Sequence, residues 1–275
     1  MSQLIVTPTS SMQLHLFQTD IHWENPEANR DWLATGIEQL QPAPGDLLIL
    51  PEMYATGFSM DVHKTAEEPG GNQPNTDFLM QNARTTGCCI IGGVATKSAT
   101  RFHNEAIAAF PDGGTSRYKK HQPFTAGGES EIFSAGDELM VLDWQQWCVG
   151  LTICYDLRFP EIYRSLALGG AELLVNIANW PRRRINHWVT LLKARAIENQ
   201  CYVAGVNRVG EDPDNHYPGR SLVVDPHGKI IADAGDKAGV TSVAIDLKDL
   251  RSWRREFPAL EDIRHDASLP VTKGR

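Results

Sequence analysis

The sequence predicts an α/β fold in which helices cover the outer faces of a mixed β-sheet system. Three observations indicate it: short apolar runs bounded by turn residues, amphipathic windows between those runs, and glycine-containing turns that join some runs directly. No internal repeat, low-complexity tract or Gly/Ser linker interrupts the chain. We therefore expect one domain over residues 12–263, with terminal extensions at 1–11 and 264–275. Because strand-like alternation begins only near Met12, either Met1 or Met12 could be the native start.

Ten runs are predicted to be strands because they are short, apolar and flanked by turn residues. The runs are Leu14–Gln18, Asp46–Leu50, Cys88–Thr96, Asn104–Phe110, Met140–Leu142, Trp147–Ile153, Glu172–Ala178, Tyr202–Asn207, Leu222–Val224 and Lys229–Ala232. Between strand-like runs lie the turn sequences 112–114 and 225–228, where Gly can adopt the positive φ of a tight hairpin. Part of the strand pairing is therefore expected to be antiparallel.

Four windows between the strands are predicted to be helices from their apolar spacing. They are Pro26–Leu40, Thr76–Thr85, Pro160–Leu168 and Arg184–Gln200. Strands and helices thus alternate along much of the chain, which is typical of a sheet covered by helices.

Composition argues against a nucleic-acid partner. The 275 residues include 34 acidic and 26 basic ones, for a formal net charge of −8, and 41% are hydrophobic. This balance is ordinary for a globular protein and provides no positive field for a phosphate backbone. The one basic cluster, Arg182-Arg183-Arg184, is interpreted as a solvated or interface face, with a substrate carboxylate as the alternative partner.

The cysteine, histidine and leader patterns point to a cytoplasmic protein. The five cysteines show neither C-x-x-C pairs nor zinc-like spacing, which indicates a reducing compartment. The first residues lack a secretory signal pattern, and no stretch approaches the ~18 apolar residues of a membrane span. The nine histidines are scattered, so no metal site is predicted. The sequence also lacks G-x-G-x-x-G, P-loop and G-x-S-x-G patterns, which excludes the usual dinucleotide, nucleotide and serine-hydrolase sites.

Cys154 is the strongest candidate for a reactive group. It ends the apolar strand-like run that begins at Trp147, and a helix is predicted to start shortly afterwards at Pro160. A nucleophile on a strand-to-helix turn stands clear of the sheet beside free backbone N–H groups. A lone cysteine is more often inert packing, and we interpret the other four cysteines in that way. Because a free thiol is only slightly ionised at neutral pH, a catalytic Cys154 requires a base or a cation nearby.

Glu52 is the candidate base. It follows the apolar run Leu47–Leu50 and Pro51, so its carboxylate emerges at the carboxyl end of a predicted strand, where α/β sheets place their sites. Burial there would raise the pKa of its carboxyl towards the range useful for general-base catalysis. A helix cap or a surface acid is the alternative.

Lys119 and Glu129 complete the candidate set. Lys119 follows a predicted hairpin and could stabilise an oxyanion, although adjacent lysines are usually exposed. Glu129 is a loop or capping acid that could orient Lys119. His121 could instead form a Cys/His dyad with Cys154, as in thiol peptidases, but a single His in a polar loop is more often structural.

These motifs together resemble the nitrilase superfamily of carbon–nitrogen hydrolases, whose members use Glu, Lys and Cys in this chain order. The resemblance runs from about Met12 to Asp262 and rests on Leu48-Ile-Leu-Pro-Glu52, on Tyr118-Lys119-Lys-His121 with its K-x-H spacing, and on Thr152-Ile-Cys154-Tyr-Asp-Leu-Arg-Phe-Pro-Glu161. It implies a four-layer αββα sandwich, association into a homodimer or higher oligomer through a helical face, and no cofactor. It also implies that Glu129 supports the lysine.

Within the superfamily the chain is similar to bacterial omega-amidases, on Asn176-Ile-Ala-Asn-Trp-Pro181, His187-Trp188 and Ala194-Arg-Ala-Ile-Glu-Asn-Gln200. The implied substrate is a short acid monoamide such as 2-oxoglutaramate. Asn179 and Trp180 are expected to wall the acyl pocket, with core or interface packing as the alternative for Trp180. Arg158 is expected to bind a substrate carboxylate, or else to pair with its neighbouring acids Asp156 and Glu161.

The expected mechanism is acyl transfer through a thioester. Glu52 takes the Cys154 proton, the thiolate attacks the amide carbon, and Lys119 with the Tyr155 backbone N–H holds the oxyanion. Deaminated glutathione, an N-carbamoyl amine, an agmatine-like amide or a nitrile are alternative substrates. A catalytically silent scaffold of the same fold and a thiol peptidase using His121 are alternatives of other classes.

Overall fold

The computed structural model describes residues 10–68 and 70–264. Its strands are β1 Ser11–Gln18, β2 Leu47–Ile49, β3 Cys89–Ser98, β4 Arg101–Ala109, β5 Thr115–Lys119, β6 Met140–Trp144, β7 Trp147–Ile153, β8 Leu173–Ala178, β9 Tyr202–Asn207, β10 Val209–Glu211, β11 His216–Pro218, β12 Leu222–Val224, β13 Ile230–Asp233 and β14 Gly239–Asp246. Most of the extensions expected at 1–11 and 264–275 lies outside the described residues.

The helices include all four predicted windows. They are α1 Pro26–Leu40, α2 Val62–Thr65, α3 Pro74–Thr86, α4 Glu129–Ile132, α5 Pro160–Leu168, α6 Ile185–Asn199 and α7 Leu247–Glu256, with short 3-10 helices at Thr125–Gly127, Cys154–Arg158 and Arg182–Arg184. Among the helices in these described parts of the chain, none combines the length and apolarity needed to span a lipid bilayer.

Two six-stranded sheets form the centre of the molecule. The first has the order β14-β1-β2-β3-β4-β5 and the second β13-β12-β9-β8-β7-β6. In the first sheet β1, β2 and β3 run parallel, whereas β3, β4 and β5 are antiparallel. In the second sheet β7, β8 and β9 run parallel. The sheets are thus mixed, as the predicted hairpins required.

Side-chain alternation builds three hydrophobic layers from these strands. Leu47 and Ile49 of β2 and Val149 and Leu151 of β7 belong to one cluster that fills the space between the sheets. The alternate residues face outwards, where α1 and α3 cover the first sheet and α5 and α6 cover the second. β2, β7 and β8 are buried on both faces, and their sequences are accordingly almost entirely apolar. The layers form an αββα sandwich, which confirms the predicted fold class.

The strands absent from the prediction are the polar ones. β5 and β14 lie at the two edges of the first sheet, and β10 pairs with β11 in a separate two-stranded ladder. An edge strand is covered on fewer sides than a central one, so it needs fewer apolar residues. β14 shows this, since its sequence GVTSVAID is only partly buried although it pairs with β1 over eight residues.

Candidate active site

Cys154 lies where β7 meets the helical layer. β7 ends at Ile153, and the chain forms the 3-10 helix Cys154–Arg158 before α5 begins. Cys154 has a φ of +46°, in the left-handed region that a non-glycine residue rarely adopts. Its half-buried Sγ is 3.9 Å from the carbonyl oxygen of Asn179. The predicted strand-to-helix turn is confirmed, and its backbone conformation presents the thiol beyond the end of the sheet.

Glu52 reaches the same place from the other sheet. It follows the end of β2 and is 0% exposed. Its Oε2 accepts the backbone N–H of Asn179 at 2.9 Å, and the Asn179 side-chain amide donates to the Glu52 carbonyl oxygen at 2.7 Å. Asn179 follows the end of β8, the neighbour of β7. The carboxyl ends of strands from both sheets therefore meet here, and Asn179 connects Glu52 to the strand beside Cys154.

The lysine that contacts Glu52 is Lys120. Its Nζ donates to Glu52 Oε1 at 2.9 Å and to Glu129 Oε2 at 2.8 Å, and the residue is 1% exposed. Lys119 is half-buried and pairs across the ladder with Glu105 on β4. The placement expected for Lys119 is therefore wrong, because Lys120 occupies it.

Strand alternation explains this shift by one residue. Successive side chains of a strand point to opposite faces, and Tyr118 on β5 belongs to the core between the sheets. Lys119 consequently points away from that core, and Lys120 returns to the Tyr118 side. The K-x-H spacing to His121 favoured Lys119 as the site lysine. The burial of Tyr118, two residues before Lys120, instead shows that Lys120 points towards the site.

Glu129 and Asn104 enclose the ammonium of Lys120. Glu129, the first residue of α4, is 0% exposed, and its Oε1 accepts from Lys120 Nζ at 3.0 Å. Its Oε2 also accepts the Phe124 backbone N–H at 2.6 Å. Asn104 on β4 donates through Nδ2 to Glu52 Oε1 at 2.7 Å and to Glu129 Oε1 at 2.8 Å. Glu129 thus contacts the site lysine as expected, although that lysine is Lys120.

The electrostatics of the cluster hold the lysine charged and the thiol neutral. Burial lowers the pKa of the Lys120 ammonium, but the carboxylates of Glu129 and Glu52 outweigh that effect and raise it above its ordinary value. Burial, followed by the charge of Glu52, raises the pKa of the Cys154 thiol well above its ordinary value against the opposing effect of Lys120. The resting cysteine is therefore a thiol, and its reaction requires a base to remove the proton.

Asp156 joins the cysteine turn to the lysine segment. This fully buried carboxylate accepts the Ile153 N–H at 2.9 Å, the Tyr118 hydroxyl at 2.8 Å and the Gln122 N–H at 2.8 Å. Burial outweighs these donors and raises the pKa of Asp156 to about 6. Asp156 thus accepts hydrogen bonds from the end of β7 and from the segment around Lys120. It does not form the pair with Arg158 that was the alternative role expected for that arginine.

A cavity of about 370 Å³ opens onto Cys154. Its size is within the range of small-molecule sites. The four residues expected to bind substrate, Tyr155, Asn179, Trp180 and Arg158, all line it. Trp180 is only 2% exposed and also packs on Trp188 at 5.5 Å, so it serves both the cavity wall and the core.

Three arginines line this cavity without a carboxylate partner. They are Arg158, Arg183 and Arg184, and within residues 10–68 and 70–264 none of them forms an ion pair. The Arg158 guanidinium lies over the Trp180 ring at 5.0 Å and contacts His187 Nδ1 at 3.2 Å. Burial, followed by the charge of Arg183, lowers the pKa of Arg184. The cavity is also lined by Asp212 and by the exposed Asp214, and the Asp212 carboxylate is already occupied by the Tyr217 hydroxyl and two backbone N–H groups. The unpaired guanidinium groups therefore make this cavity suitable for an anionic ligand.

His121 and the other cysteines lie elsewhere. His121 lines a separate, more open cavity together with Arg101 and Ser134. Cys88, Cys89 and Cys201 are buried, and all five cysteines are free thiols. Burial raises the pKa of Cys201 to about 12, which makes it unreactive at neutral pH.

Residues 13–255 match the profile of the family described as carbon-nitrogen hydrolase. The chain belongs to the carbon–nitrogen hydrolase family. The expected nitrilase-superfamily enzyme is thereby confirmed.

Individual relatives cover nearly the whole chain. It is 37% identical to the omega-amidase YafV of Yersinia enterocolitica, over 92% of this chain and 97% of that protein. It is 35% identical to the 2-oxoglutaramate amidase of Bacillus subtilis, over 90% and 96%. A CN-hydrolase superfamily protein from Xanthomonas campestris, whose structure holds an arsenic adduct in the active site, aligns with a TM-score of 0.88 and 33% identity, over 95% of this chain and 99% of that one.

Sequence reasoning missed two residues of this site, Lys120 and Asn104, and considered Arg184 only as part of the Arg182-Arg183-Arg184 cluster, with a substrate carboxylate as the alternative partner. The alternation around Tyr118 would have indicated Lys120 if β5 had been predicted as a strand. Asn104 lies between His103 and Glu105 on β4, so its sequence neighbours are polar as well and nothing local distinguished it. Within that cluster nothing in the sequence distinguished Arg184 from its neighbours, since only the fold brings it into the same cavity as Cys154.

Proposed function

We propose that this protein is an amidase that hydrolyses the terminal amide of a short oxo-dicarboxylic acid monoamide, of the 2-oxoglutaramate type, to the acid and ammonia. The omega-amidase and 2-oxoglutaramate amidase relatives support this substrate class. The observation that carries the proposal is the pairing of Cys154 with unpaired arginines in one small cavity. A thiol at one end and guanidinium groups nearby suit a ligand with an amide at one end and a carboxylate at the other.

In the proposed mechanism Glu52 is the base and Cys154 the nucleophile. The proton moves from Cys154 Sγ to the Glu52 carboxylate as sulfur bonds to the amide carbon. The carbonyl oxygen becomes an oxyanion, which the Lys120 ammonium and the Tyr155 backbone N–H hold. Tyr155 is the second residue of the 3-10 helix, where backbone N–H groups lack partners within the helix.

The second half of the mechanism returns the enzyme to its starting state. Glu52 gives its proton to the leaving nitrogen as the carbon–nitrogen bond breaks, and ammonia departs. The same carboxylate then takes a proton from water, whose oxygen attacks the thioester carbon. The carbon–sulfur bond breaks, Glu52 returns the proton to the Cys154 thiolate, and the carboxylic acid leaves. Glu52 is 0% exposed and is held by Lys120, so its carboxylate stays in place for both halves of the reaction.

Ammonia release from a substrate panel tests the proposal. The panel comprises 2-oxoglutaramate, glutamine, deaminated glutathione, N-carbamoyl amines and aliphatic nitriles, each offered to the wild type and to Cys154→Ala. Preference for 2-oxoglutaramate that disappears in the variant is the expected result. Cys154-dependent release confined to another member would overturn the substrate assignment, and equal release by both proteins would overturn the role of Cys154.

We also propose that the protein forms a homodimer or higher homo-oligomer through the face of α5 and α6. Leu168 on α5 and Ile197 on α6 are 46% and 52% exposed, which supports an apolar contact there. Sedimentation equilibrium should show a dimer or larger species that Ile197→Glu shifts towards monomer. A wild type that remains monomeric at micromolar concentration would exclude this assembly.

A cytoplasmic location is proposed on the free thiols. All five cysteines are unpaired, which is typical of a reducing compartment. Cell fractionation with antibody detection should find the protein with cytoplasmic markers, and recovery with an extracytoplasmic fraction would contradict the proposal.

A further inference from the structure

Asn104 occupies the centre of the charged cluster. Its Nδ2 lies 2.7 Å from Glu52 Oε1 and 2.8 Å from Glu129 Oε1, and the residue is 1% exposed. A side-chain amide nitrogen carries two hydrogens, so each carboxylate receives one of them. The backbone of Asn104 takes part as well, because its carbonyl oxygen accepts the Lys120 N–H at 2.8 Å. One residue thus holds both carboxylates and the backbone of the lysine that joins them.

The same two carboxylate oxygens accept from Lys120. Nζ lies 2.9 Å from Glu52 Oε1 and 3.0 Å from Glu129 Oε1. Two donors and two acceptor oxygens therefore form a closed ring of four short contacts. The two carboxyl groups face a single ammonium, and the neutral amide of Asn104 supplies the further donors that these buried oxygens need.

The ring makes the two oxygens of Glu52 unequal. Oε1 accepts one hydrogen bond from Asn104 and one from Lys120, which uses both of its lone pairs. Oε2 accepts the Asn179 backbone N–H at 2.9 Å and a longer hydrogen bond from the Asn179 side-chain amide at 3.3 Å. The longer bond is the weaker one, so Oε2 is the oxygen that can more easily exchange a donor for a further hydrogen.

We propose that Asn104 is a positioning residue that saturates Glu52 Oε1 and so makes Oε2 the atom that exchanges protons. The proposal rests on the role of Glu52 as base. The proton leaves Cys154 Sγ for Oε2 as the carbon–sulfur bond forms, and it passes from Oε2 to the leaving nitrogen as the carbon–nitrogen bond breaks. The charged and titratable groups facing Glu52 are Lys120, Glu129 and Cys154, and Asp156 acts on the same lysine.

The pH dependence of Asn104→Leu tests this role. Leucine keeps the size of the side chain but removes both donors, so the carboxylates bind protons more tightly. The acidic limb of kcat/KM should move to higher pH by about one unit or more, as expected for a lost hydrogen bond to a charged group. At a pH on that limb, kcat/KM should fall roughly tenfold or more below the wild type.

Asn199→Leu is the matched control. Asn199 is also fully buried, but its amide donates to the Arg195 carbonyl oxygen, outside the charged cluster. Urea unfolding should show that both variants are folded, and only Asn104→Leu should shift the limb. If Asn104→Leu does not fold, Asn104→Asp keeps the shape, removes the donors and adds a negative charge, so it should shift the limb in the same direction. An acidic limb at the wild-type pH in a folded Asn104 variant would overturn the proposal.

Alkylation of Cys154 by iodoacetamide separates this inference from the substrate assignment. Peptide mass spectrometry gives the rate at Cys154 against pH without any amide substrate. The Asn104→Leu profile should move to higher pH as the kcat/KM limb does, even if the substrate panel shows that the proposed amide is wrong. An alkylation profile that coincides with the wild type would again overturn the role of Asn104.

Discussion

Replacing Lys120 by methionine removes a buried cation that contacts two buried carboxylates, at 2.9 Å from Glu52 and 2.8 Å from Glu129. Methionine matches the length of the lysine stem, so the change is mainly one of charge. If Lys120 holds the oxyanion, kcat should fall roughly 10²- to 10³-fold, as it does when one oxyanion donor is lost elsewhere.

The same substitution should also destabilise the fold. Glu52 and Glu129 are both 0% exposed, and without Lys120 they share the site without a counter-charge. Breaking a buried ion pair by removing one partner costs about 3–5 kcal/mol. Urea unfolding should report a loss of this size. Because total stability is only about 5–15 kcal/mol, the kinetic assay should be run at low temperature on protein shown to be folded.

Lys119→Met is the matched control for Lys120→Met. Lys119 is the adjacent residue of the same type, half-buried and directed away from the core between the sheets. Its substitution should change stability by no more than about 0.5 kcal/mol, as for surface changes, and leave kcat near the wild-type value. A large loss of turnover in Lys119→Met, with near-normal turnover in Lys120→Met, would refute the reasoning from strand alternation.

Two further predictions concern the cavity and the cysteine turn. Arg184→Ala should raise KM for a carboxylate-bearing amide roughly tenfold or more and leave KM for a neutral amide such as propionamide unchanged. Arg182 is exposed and lies outside that cavity, so Arg182→Ala is the control and should change neither KM. An equal rise in KM for both substrates in Arg184→Ala would contradict the carboxylate role. For Asp156, the folded-state pKa of about 6 lies above the ordinary value of 3.8, so its contribution to stability is complete below pH ~4 and is lost as the pH rises through ~6. We therefore expect the free energy of unfolding of Asp156→Asn, measured relative to the wild type at the same pH, to increase by on the order of 3 kcal/mol from pH ~4 to pH ~7.5. Urea unfolding at both pH values measures this difference, and a difference that does not depend on pH would refute the prediction.

The positions of Glu52 and Cys154 were predictable because each follows a strand that is buried on both faces. Leu47–Ile49 is a continuous apolar run and Val149–Ile153 is apolar except for Thr152, and a polar residue that follows such a run emerges at the end of the sheet. The helices α1 and α5 were predicted with their observed bounds, since Pro begins both of them.

Lys120 could not be selected from its local sequence. Two identical residues stand side by side, and β5 is a polar edge strand whose sequence, Thr-Ser-Arg-Tyr-Lys, indicates no strand by apolarity. Which lysine points inwards depends on the register of β5 against β4, where Ala106 pairs with Tyr118. That register is set by contacts across the sheet, and a shift of one residue would exchange the two lysines.

The sequence by itself determined the fold class, the family and the residue types of the site, because apolar periodicity and motif spacing are local properties of the chain. Only the tertiary structure decided that Lys120 is the buried lysine, that Asn104 lies between the two carboxylates, and that Arg184 faces the same cavity as Cys154. Asn104 is 52 residues from Glu52 and Asn179 is 127 residues from it. Contacts over such separations arise when two sheets pack face to face, and no local pattern encodes them.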